Sequence, residues 1–61
     1  MMSDARIREI AEALERLGRD LEELIEAGKD LPAVERNARR MQGTLWTLRA
    51  HFEVLAETLE G

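Results

Sequence analysis

The sequence predicts an all-α fold, an antiparallel two-helix hairpin that homodimerises into a four-helix assembly. Three observations carry this expectation. Ile7, Ile10, Leu14, Leu17, Leu21 and Leu24 recur at alternating steps of three and four, a strict a/d heptad pattern. Leu31, Val34, Ala38, Met41, Leu45, Leu48, Phe52, Leu55 and Leu59 mark a second such stripe. Between the stripes, Gly28 and Pro32 enclose only Lys29, Asp30 and Leu31. A connection this short makes the two helices antiparallel neighbours.

The first helix is expected over about residues 4–27. Ser3 or Asp4 suits its N-cap, because a short side-chain oxygen accepts an otherwise orphaned backbone N–H. Met1 and Met2 before it are expected to be disordered or trimmed. On the outer side, Asp4–Arg8, Glu12–Arg16 and Glu15–Arg19 stand four apart with the acid first, the favourable order. Glu22, Glu23 and Glu26 crowd the helix end, where the macrodipole prefers cations, and Arg36 across the turn is the expected answer. Gly28 suits the left-handed C′ position that ends a helix.

The turn covers 28–31 and the second helix about 32–60. Pro32 suits a first helical turn because its missing N–H would be unpaired there, and Asp30 or Leu31 supplies the cap. Pairing about this turn sets Leu21 near Ala38, Leu17 near Met41, Leu14 near Leu45, Ile10 near Leu48 and Ile7 near Phe52. The second helix is longer, ~43 Å against ~36 Å. Leu59 therefore overhangs, to fray or to be capped by another chain.

At 61 residues the chain makes one domain with a small core, and it has no cysteine to staple it. Ordering entropy of ~1.5 kcal/mol per residue nearly cancels apolar burial in such chains, so oligomerisation is the remaining source of core. The expected interface is the far side of the second helix, where winding at ~100° per residue gathers Gly43, Trp46, Thr47, Ala50 and Val54. Two copies running antiparallel about a dyad between residues 46 and 47 set Gly43 against Ala50 and Trp46 against Thr47. The same register sets Arg36 against Glu57 and Arg40 against Glu53. The competing arrangement merges the leucine stripes into one four-helix core, which normally needs apolar residues at e or g as well. The second helix offers Asn37, Thr44, His51 and Thr58 at g, and Glu35, Gln42, Arg49 and Ala56 at e. These rows argue against the merged core.

Little in the sequence points to chemistry. His51 is the single histidine and has no metal-binding companions three or four residues away. Ser3 is the single serine, and no glycine-rich phosphate loop is present. No cofactor and no metal are expected, and the protein is read as not an enzyme. The net charge of −4 disfavours general binding to nucleic acid or anionic membranes. The excess is confined to residues 1–30, with nine acids and five bases, whereas 31–61 hold four of each. No signal-peptide-like or membrane-spanning apolar run occurs, so a soluble, cytoplasmic protein is expected.

The leading functional expectation is a small assembly or adaptor protein that self-associates through its second helix and presents a helical surface to a protein partner. The alternative is a dimeric nucleic-acid binder using Arg36, Arg39, Arg40 and Arg49. In size and layout the hairpin is similar to the small plasmid copy-number regulators that bind paired RNA loops as four-helix dimers, with no motif residues in common. A third reading is an engineered hairpin without a biological role. Strict heptads fit it, while Gly18, Gly43 and the polar g row fit it poorly.

Overall fold

The structure, a computed structural model, describes the backbone of residues 3–60 and the side chains of residues 3–58. The expectations for Met1, Met2 and the side chain of Leu59 lie outside the described residues. Two helices, α1 (Asp4–Ala27) and α2 (Pro32–Glu60), form one antiparallel hairpin measuring 45 × 17 × 12 Å.

Ser3 starts α1. Its backbone is extended, its carbonyl accepts from the Ile7 N–H at 3.1 Å, and its hydroxyl accepts from the Arg6 N–H at 3.2 Å. At the other end the Gly28 N–H donates to the Leu24 carbonyl at 2.8 Å and the Gly28 carbonyl accepts from the Leu31 N–H at 2.8 Å. Gly28 does not adopt the left-handed conformation expected of it, since its φ and ψ are −100° and 13°. Its reason for being glycine is space. A Cβ there would lie 2.5 Å from Val34 Cγ1 and 3.1 Å from the Leu24 carbonyl oxygen. The turn thus closes by pressing the Gly28 backbone onto the first turn of α2. Leu31, not Asp30, is the cap of α2, as its carbonyl accepts from the Glu35 N–H at 3.0 Å. The proline at the next position explains this, because it holds the preceding residue out of the α region.

The seam between the helices is centred on Ile7, Leu14, Leu21, Ala38 and Leu45, all buried. Leu45 packs in one cluster with both Leu14 and Leu21, with Ile10 and Phe52 against it. A Cβ on Gly18 would meet Leu45 Cδ2 at 3.6 Å, so Leu45 sits level with Gly18, between the two leucines of α1. This differs from the expected pairing of whole a/d layers. Both helices are rolled so that Ala11, Gly18 and Ile25 of α1 and Gln42, Arg49 and Ala56 of α2 are drawn into half-buried positions. Small Ala11 and Gly18 let α2 approach on that side, and the long stems of Gln42 and Arg49 cover apolar surface while their polar heads stay wet. The consequence falls on the opposite margin. Leu17, Met41 and Leu48, expected inside the seam, are 46%, 48% and 50% exposed.

Candidate interaction surfaces

The roll of the helices gives the hairpin two unlike sides. On one, Gly18, Glu22, Arg39, Gln42, Trp46 and Arg49 line an open trough along the seam, and a second trough beyond it runs past Ala11, Glu15, Glu53 and Ala56. Ile10, Leu17 and Leu24 lie on the other margin of α1, and Met41, Leu48 and Leu55 on the other margin of α2. For antiparallel right-handed helices wound at ~100° per residue, these two margins fall on the same side of the pair. That side carries a double row of apolar side chains, of which only Ile10 is half-buried and the rest are exposed.

Beside the α2 row stand Asn37, Thr44, His51 and Thr58. Asn37 Nδ2 donates to the Ala33 carbonyl at 2.8 Å, Thr44 Oγ1 to the Arg40 carbonyl at 3.2 Å, and Thr58 Oγ1 to the Val54 carbonyl at 2.9 Å. Each is a bond back to the residue four earlier in the same helix. The row is polar in composition, yet these three side chains have spent a donor on their own backbone.

The residues expected to form an antiparallel α2–α2 interface occupy the back and trough side of α2. Gly43, Trp46, Thr47, Ala50 and Val54 are all exposed, Trp46 at 75%, as are Arg36, Arg40, Glu53 and Glu57. A Cβ on Gly43 would meet nothing within 4 Å, and Thr47 Oγ1 donates to the Gly43 carbonyl at 3.2 Å. Trp46, Arg49, Ala50 and Glu53 share a shallow depression.

The four arginines considered for nucleic acid do not share a face. At ~100° per residue Arg36 and Arg40 point away from α1, whereas Arg49 lies half-buried at the seam. Arg39 is held by Glu35, with Nε 3.7 Å from Oε1. Of the glutamates at the end of α1, Glu26 is answered from the turn, as Lys29 Nζ lies 3.2 Å from Glu26 Oε1. Among the described residues Arg36 takes no part in an ion pair with them, nor do the three acid-first pairs of α1 close. These side chains are solvated, where such contacts contribute little.

Among the described residues no three metal-ligating side chains cluster, and no helix is long and apolar enough to cross a membrane. The exposed leucine rows are the feature that heptad reading missed. The signal for them lay in Ala11 and Gly18, whose small size on one flank of α1 marks the side to which α2 rolls. Comparison with protein-family models, with curated proteins and with solved structures finds no match to this chain.

Proposed function

We propose that this chain is a non-enzymatic assembly module that self-associates as a helical hairpin and offers its remaining helical surface to a protein partner. The observation that carries the reading is the amount of surface left uncovered. The single chain exposes 5039 Å². A compact monomer of its 7.0 kDa mass would expose ~4,000 Å², so about 1,000 Å² is in excess. Leu17, Leu24, Met41, Leu48 and Leu55 are exposed together on one side, a contiguous apolar patch of a kind that monomeric proteins rarely leave open, and Trp46 is exposed on the other. Helix α2 supplies candidates on both of its sides, the Met41, Leu48 and Leu55 row on one and Gly43, Trp46, Thr47, Ala50 and Val54 on the other. Tryptophan and arginine are the residue types that dominate binding energy at protein interfaces, which suits the trough holding Trp46, Arg39 and Arg49 to a partner. Sedimentation equilibrium of the full chain is the test. Twice the chain mass at micromolar concentration is expected, and a single-chain mass throughout that range overturns the reading.

A further inference from the structure

Resting on that self-association reading, we infer that the apolar side formed by Leu17, Leu24, Met41, Leu48 and Leu55 is covered by a second copy of the chain. In this pairing α1 of each copy lies across α2 of the other, and the dyad runs parallel to the helices.

Three features fit a second copy. The first is area. An excess of about 1,000 Å² per chain, pooled over two copies, gives about 2,000 Å², the size of a stable interface. The second is the rim. Covering polar groups is costly when their hydrogen bonds to water are lost without replacement. Here Asn37, Thr44 and Thr58 donate to Ala33, Arg40 and Val54 within α2. Three members of a row that looks hostile to a merged core are therefore covered at lower cost, His51 being the one for which no such bond is found among the described residues.

The third is charge, and it selects the arrangement. Residues 1–30 carry nine acids and five bases. A dyad across the helices would stack α1 on α1 and α2 on α2, leaving Asp20 and Glu23 out of reach of Arg40. A dyad along them stacks α1 on the other copy's α2 and keeps every residue at its own height. Gly18 is level with Leu45, so Glu23 is level with Arg40, and Asp20 lies within a turn of it. Asp20 stands beside the apolar row of α1, and Glu23 and Arg40 form the outer edges a step further round, toward the backs of α1 and α2, all three exposed. Within one chain these edges face apart. In the dimer, Asp20 and Glu23 meet the partner's Arg40 along the outer rim, once on each side of the dyad.

The test is sedimentation equilibrium on the full chain, with far-UV circular dichroism to confirm helicity. Leu48→Glu is expected to weaken association about 100-fold, as for a central apolar contact, and Trp46→Glu to leave it unchanged. A dimer that survives Leu48→Glu but dissociates with Trp46→Glu overturns the surface assigned here while self-association stands. A wild-type chain that never exceeds its single mass removes both. Should Leu48→Glu lose helicity, the rim variants decide, because their side chains are exposed in the hairpin. Arg40→Glu is expected to weaken the dimer about fivefold, and Arg40→Glu combined with Asp20→Arg and Glu23→Arg to recover it. Weakening without recovery overturns the α1-on-α2 arrangement.

Discussion

Placing a methyl group on Gly28 is the sharpest way to probe how the hairpin closes. The glycine is buried, and its φ of −100° is one that alanine adopts freely, so the substitution meets no backbone penalty. Alanine would even gain ~0.4–1 kcal/mol by restricting the unfolded chain. Against this, the new Cβ would sit 2.5 Å from Val34 Cγ1, about 1 Å inside ordinary contact, with the Val34 Cβ and Leu24 carbonyl oxygen at 3.1 Å. Overpacking of this kind costs ~1–3 kcal/mol. The clash should win, leaving Gly28→Ala less stable by about 1–2 kcal/mol and lowering Tm by roughly 5–15 °C for a chain of this size. Val34→Ala removes the crowding methyl group and, being only half-buried, costs about 1 kcal/mol alone. In the double variant the losses should fall short of their sum by about 1 kcal/mol or more. Thermal melts followed by circular dichroism at one fixed chain concentration read all four states, because self-association would otherwise move the midpoint. Strictly additive losses would refute the idea that Gly28 is required by Val34.

Leu45→Ala should cost ~2–5 kcal/mol, the most damaging single truncation, because Leu45 fills the space between Leu14 and Leu21; urea unfolding measures it. Gly18→Ala should stabilise by ~0.5–1 kcal/mol in the same assay, since its Cβ would make ordinary contacts at 3.6 Å and 3.7 Å with Leu45 and Arg49. Ser3→Ala should cost ~0.5–2 kcal/mol through loss of the hydroxyl that accepts from Arg6, visible as reduced amide-exchange protection in the first turn of α1. Gly43→Ala should raise helical stability by ~0.5–1 kcal/mol and leave the sedimentation mass unchanged, because nothing lies within 4 Å of the added methyl; a lost dimer would instead point to a second chain at Gly43.

The two helices and their antiparallel turn were legible because heptad spacing, a glycine stop and a proline start agree at every point of the chain. What could not be read was the roll of each helix about its axis. An apolar stripe marks an arc ~100° wide, and the part of it that faces the neighbour is chosen by shape. Here Ala11 and Gly18 decide it, turning Leu17 and Leu48 outward. Glycine at the turn was equally ambiguous, since the same residue answers a need for positive φ or for close approach, and Val34 makes it the second. For the candidate surfaces, the exposure of Trp46 followed from its position on the wheel, whereas the bonds of Asn37, Thr44 and Thr58 to their own helix depend on rotamers that composition does not disclose.

An antiparallel rod with its turn at one pole has a mechanical consequence. Any load applied where α1 begins and α2 finishes would act at the same pole, across the pair and not along it. The helices would then be peeled, with the contacts of Ile7 and Phe52 yielding first, those of Leu14, Leu45 and Leu21 in succession, and the pinch of Gly28 on Val34 last. Such a zipper parts under far gentler tension than one whose rungs must all slip together.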